Sequence, residues 1–165
     1  MGYEVTDWEP PEVWREAIRK EWIDYNGHMN VAYYTLILDH AADALYERIG
    51  LGPDYLEHSN CSTFAVEAHI TYDRELMEGD EAFCTGRVVG FDEKRIHHYY
   101  EMYHGTEGFL ASTGELMTLH VDLSTRKVSP WPDDLRQAIS GMYEQQAGLA
   151  VPKPVGRALG IPVKP

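Results

Sequence analysis

From Asn30 to Ile49 the apolar residues recur every three or four positions, at Tyr34, Ile37, Leu38, Ala41, Ala42, Leu45 and Ile49. Asp39, His40, Asp43, Glu47 and Arg48 take the positions between. That spacing lays one apolar stripe along a helix. Asn30 supplies an N-cap and Gly50 a stop. At ~1.5 Å per residue the helix is about 30 Å long, enough to cross a sheet. A stretch rich in Gly, Pro, Asn and Ser, from Gly52 to Ser62, reads as a loop. The period then changes to two. Strands are predicted over Phe64–Tyr72, Glu81–Val89, Arg95–Tyr103 and Leu110–Leu123, with turns at Gly79-Asp80 and Gly105–Gly108. Before the helix, Arg15 to Trp22 reads as a first strand. After the meander, Asp134 to Glu144 reads as a short helix.

This order predicts an α+β layer architecture, one long helix packed on a curled antiparallel sheet of five to six strands. Residues 13–146 form the predicted domain. Residues 1–12 read as an arm and 147–165 as an extended, proline-containing tail. A sheet covered on one face by a single helix leaves edges open, so association into dimers or tetramers is expected.

Between the first strand and the helix lies Asp24-Tyr25-Asn26-Gly27-His28-Met29-Asn30. It puts a carboxylate, an imidazole and two carboxamides beside a helix N-terminus. Unpaired backbone N–H groups and the positive dipole end collect there. Such a place suits a carboxylate base or nucleophile acting next to a stabilised oxyanion. Read without that context, Asp24 is a turn acid, Asn30 a cap, His28 a turn-stabilising hydrogen-bonder and Tyr34 a packing residue.

The net charge of −13 over 165 residues makes nucleic acid a poor partner. No run approaches the ~18 apolar residues of a membrane span, and no basic, apolar leader opens the chain. Cys61 and Cys84 form no CxxC pair, which suits a reduced cytoplasmic protein. His97, His98, His104 and His120 match no zinc spacing, and no glycine-rich phosphate loop occurs. No metal or organic cofactor is expected.

The element order and the Asp24–Asn30 turn together resemble the hotdog-fold acyl-CoA thioesterases, in particular the 4-hydroxybenzoyl-CoA thioesterase group. The resemblance runs from about Trp14 to Trp131. Asp24, Gly27, His28, Asn30 and Tyr34 fall on that group's motif positions. It implies hydrolysis of an acyl-CoA, with Asp24 as base or nucleophile and the Val31 N–H as oxyanion donor. His28 and Asn30 would then orient the turn or the substrate carbonyl, at a site set on a subunit interface. The second half also resembles small thioesterases of carnitine breakdown that hydrolyse betainyl-CoA.

Aromatic rings can surround a quaternary ammonium. Trp22, Tyr25, Tyr33, Tyr72, Tyr99 and Tyr103 lie near the presumed site, and Tyr25, Gly27, Tyr33, Tyr34 and Tyr72 are taken as substrate contacts. Glu67 joins them because other thioesterases of this fold use a later acid, although a lone strand acid, like Glu115, is ordinarily solvated. Arg74, Arg87, Lys94, Arg95, Arg126 and Lys127 are candidates for the phosphates of coenzyme A. The competing expectations are an enoyl-CoA hydratase or dehydratase of the same fold and a non-catalytic acyl-CoA-binding module.

Overall fold

The computed structural model describes residues 11–159. Six strands form one antiparallel sheet: β1 (Glu12–Ala17), β2 (Cys61–Tyr72), β3 (Glu81–Phe91), β4 (Arg95–His104), β5 (Leu110–Asp122) and β6 (Lys127–Val128). The order across the sheet is β1-β3-β4-β5-β2, with the short β6 beside β5. Helix α1 (Val31–Arg48) crosses one face. Its buried residues Tyr34, Ile37, Leu38, Ala41, Ala42, Leu45 and Tyr46 follow the predicted stripe. Helix α3 (Asp133–Gln145) closes one end through Leu135 and Ile139. The predicted α+β hotdog architecture is thus the observed one.

Close approach of helix and sheet depends on Gly114. A Cβ there would lie 2.9 Å from Leu38 Cδ1, so a larger residue would force the buried Leu38 side chain out of its seat on the sheet. The helix then covers the polar centre of the sheet as well as its apolar rows. His98 is fully buried beneath it, with Nε2 2.8 Å from both Tyr46 Oη and Thr118 Oγ1 and Nδ1 2.9 Å from Tyr100 Oη. Tyr46 Oη also donates to Thr118 Oγ1 at 3.0 Å. Each polar atom in this cluster has a partner, which is the condition for tolerating it in a core.

Two local expectations differ from the structure. The first strand spans Glu12–Ala17 rather than Arg15–Trp22, because its ladder with β3 ends where Ala17 meets Glu81, the first residue of that strand. The chain then makes a 3-10 turn at Lys20–Trp22, and the approach to Asp24 is a single bridge between Ile23 and Met29. The Gly52–Ser62 loop contains a helix, α2 (Pro53–Ser59). Proline at its start and a left-handed Asn60 at its end are ordinary start and stop signals within a loop-like composition.

Burial pushes the His98 imidazole from its ordinary 6.5 down to about 3. Between those values the unfolded chain takes up a proton that the folded chain refuses. The neutral ring's contribution is therefore complete above pH 6.5 and is lost progressively as the pH falls towards 3. Denaturant titrations are expected to show wild type losing about 2 kcal/mol more than His98→Gln between pH 6.5 and 5. Equal losses in the two proteins would contradict this.

Candidate active site

The segment from Trp22 to Asn30 closes on itself. Asn30 N donates to Trp22 O at 2.9 Å, Asp24 N to His28 O at 3.1 Å and Gly27 N to Asp24 O at 3.0 Å. Gly27 has φ of +86°, a left-handed conformation that favours glycine. Asp24 Oδ1 accepts the Asn26 N–H at 2.8 Å, and Oδ2 has no partner among the described residues. Asp24 thus shapes its own turn while keeping one carboxylate oxygen available.

Asn30 caps α1 through Oδ1, which accepts Ala32 N–H at 3.0 Å, and its carbonyl accepts Tyr33 N–H at 3.0 Å. The Val31 N–H has no acceptor among the described residues. No acid lies in the first turn, so no side chain there offsets the positive end of the helix dipole. Val31 is 57% exposed and lines an open cleft of about 240 Å³.

The rest of that cleft comes from His28, Met29, Tyr34, Tyr72, Asp73, Arg74 and Glu75. One residue, Leu76, ties its two walls together through its backbone. Leu76 O accepts Met29 N–H at 2.8 Å, and Leu76 N donates to Tyr34 Oη at 3.0 Å. Burial raises the Tyr34 phenol above its ordinary pKa, so the hydroxyl keeps its proton. Tyr72 stands edge-to-face against Tyr34, with centroids 5.4 Å apart, and is half exposed. His28 Nδ1 lies 3.4 Å from Met29 O, a weak contact that leaves Nε2 without a partner among the described residues.

The structure therefore gathers His28, Val31, Tyr34 and Tyr72 around one cleft, with Asp24, Gly27 and Asn30 building the turn beside it. Four predicted contacts do not line this cleft, Gly27 within the turn being one. Tyr25 projects from the tip of the turn, 97% exposed. Tyr33 stacks on Trp22 at 5.1 Å. Glu67 faces away from α1, because alternation along the paired strands sends it opposite to Gly114. There it lines a separate cavity of about 400 Å³ with His69, His97, Glu115 and Gly156. Glu115 is likewise occupied, accepting from Gly156 N at 3.0 Å with His97 Nε2 2.7 Å away. Of the wider aromatic set, Tyr99 is buried within β4, and Tyr103 stacks on Phe83. Met29, Asp73 and Glu75 are wall residues that pattern reading missed, since they follow no period. Their one signal is position, directly beside the His28 turn or the end of the strand that carries Tyr72.

The family model of the thioesterase-like superfamily matches residues 18–139. A betainyl-CoA thioesterase of Pseudomonas aeruginosa is 32% identical over 162 residues, 98% of each chain. A Staphylococcus aureus protein solved in complex with CoA superposes with a TM-score of 0.83 at 29% identity, covering 90% of this chain and 94% of that one. A Pseudomonas putida KT2440 protein, proposed to be a thioesterase, superposes at 0.81 with 34% identity, covering 94% and 99%. With its fold and these relatives in agreement, the chain belongs to the thioesterase-like superfamily and is a hydrolase of thioesters.

Proposed function

We propose that this thioesterase hydrolyses betainyl-CoA to betaine and free coenzyme A. The observation that carries the catalytic reading is the Val31 N–H, left without an acceptor at an uncompensated helix N-terminus that opens into the cleft. A thioester carbonyl placed there would gain a donor exactly where negative charge develops, which favours the tetrahedral state over the ground state. Asp24 either draws a proton from the attacking water or itself attacks the carbonyl carbon, in which case water cleaves the resulting anhydride. On both routes the carbon–sulfur bond breaks and the departing thiolate is protonated. His28 orients the turn and the carbonyl, and Asn30 holds the helix start that presents Val31.

The acyl group is read from the relatives and from the cleft wall. Tyr72 offers an exposed ring, and Asp73 and Glu75 offer carboxylates, next to the position assigned to the carbonyl. A trimethylammonium group gains from both the ring face and the negative field. The active unit is at least a homodimer. Edge strand β2 exposes a continuous run from Phe64 to Ala68, including Val66 at 55%, and such an edge is suited to pairing with the same strand of a second copy. Cys61 and Cys84 are free thiols, which suits a cytoplasmic location.

Thiol release from betainyl-CoA tests the chemistry. Asp24→Asn is expected to lower kcat by roughly 10²-fold or more with a small change in KM; unchanged turnover would remove Asp24 from the reaction. A second comparison sets betainyl-CoA against 3,3-dimethylbutanoyl-CoA, its neutral counterpart of matching shape. Wild type is expected to favour the cation by about tenfold in kcat/KM, and Tyr72→Leu to reduce that preference. Equal rates on the two esters would overturn the betainyl reading but leave the thioesterase standing. Finally, Val66→Glu brings two carboxylates together at a β2–β2 contact, and light scattering is expected to show a shift towards monomer.

A further inference from the structure

We infer that Arg74 is the residue on this chain that recognises the phosphate-bearing half of coenzyme A. The inference rests on the acyl-CoA reading above and assigns the other end of the same substrate. Coenzyme A is a polyanion, and it must approach a chain of net charge −13. Coulomb repulsion makes a local cation necessary where its phosphates arrive.

Among the described residues, Arg74 is the one lysine or arginine that lines the Val31 cleft. Its guanidinium does not sit over the helix start. It reaches towards the β4–β5 turn, with Cζ 3.8 Å from the centre of the Phe109 ring and Nη2 3.5 Å from Glu107 Oε2. Its own backbone N–H is fixed to Ala111 O at 3.2 Å. The side chain is thus held at the rim, away from the position assigned to the reacting carbonyl. That puts a held cation on the wall of the cleft, where the carrier half of an acyl-CoA can reach it. Stacking on Phe109 leaves the guanidinium edge available for phosphate oxygens. The Glu107 contact is long and both side chains are more than half exposed, so it competes weakly.

The other candidate cations whose contacts are described do not line this cleft. Arg87 is buried and donates to Ala150 O at 2.8 Å. Arg95 is paired with Asp92. Arg126 lies over the Phe64 ring at 5.3 Å, at the opposite end of β2 from Tyr72.

Calorimetric titration with two ligands tests the assignment independently of turnover. Coenzyme A carries the phosphates, and pantetheine carries the same thiol arm without them. Arg74→Ala is expected to weaken coenzyme A binding about tenfold and to leave pantetheine binding unchanged. Arg74→Lys is expected to recover part of the loss, since it restores the charge without the planar fork. Arg74→Ala binding coenzyme A like wild type, or losing both ligands equally, would overturn the inference, as would a wild type that does not bind coenzyme A. Coenzyme A binding that depends on Arg74 in a protein that hydrolyses no acyl-CoA would support the inference and sink the catalytic reading instead.

Discussion

The closure of residues 22–30 decides where every other part of the cleft can lie. Asn30 is held by Trp22 O through its own N–H, and its side chain and carbonyl take the amides of Ala32 and Tyr33. Helix α1 therefore starts at a fixed point, with the Val31 amide excluded from these contacts. A cap one residue earlier would have made Val31 the second helical residue, whose N–H a capping side chain takes, as Asn30 Oδ1 takes that of Ala32. The adjoining Met29 N–H is taken by Leu76 O, so the same closure that sets the helix start also sets the opposite wall. A few short-range hydrogen bonds thus position a donor, a carboxylate and the cleft together.

The rigidity of that arrangement comes from the far side of α1. Gly114 lets Leu38 sit directly on the sheet, and Tyr46 is anchored to His98 and Thr118. A buried cluster with all its polar atoms paired resists sliding, because any shift of the helix leaves a donor or acceptor unmet. The N-terminal end of α1 can then keep an amide without a protein acceptor at the open cleft, because the helix is held along the rest of its length.

Period and punctuation made the long helix and the four meander strands legible, since each buries one face against the core and so repeats at 3.6 or 2.0 residues. They failed for β1 and α2 for different reasons. The extent of β1 is set by where its partner β3 begins at Glu81, sixty-odd positions away in sequence terms on the order of a long-range pairing. Helix α2 buries no residue fully, so it carries no stripe and only its terminal Pro53 and Asn60 mark it. At the candidate site, His28 and Val31, which line the cleft, were legible because they share one short segment with Asp24. Asp73 and Glu75 were not, because β2 brings them to the turn only after folding. Glu67 was misplaced for a related reason: alternation assigns a residue to one of two faces, and the face is known only once Gly114 identifies the side that α1 covers.

The same geometry divides charge within one small cleft. Tyr72 ends β2, and the next three residues, Asp73, Arg74 and Glu75, leave the ladder while still lining the wall. Released from strand pairing, adjacent side chains of opposite sign can serve different parts of one ligand. Arg74 is drawn aside by the Phe109 ring, and Asp73 is held near β2 by Thr71 Oγ1, which donates to its Oδ2 at 2.9 Å. A substrate with a cationic acyl end and a polyanionic carrier matches that division, and a reversed orientation would set like charges against each other at both ends. On the proposed placement of the thioester over the Val31 amide, its orientation follows from charge as well as shape, before any specific contact at the carbonyl is made.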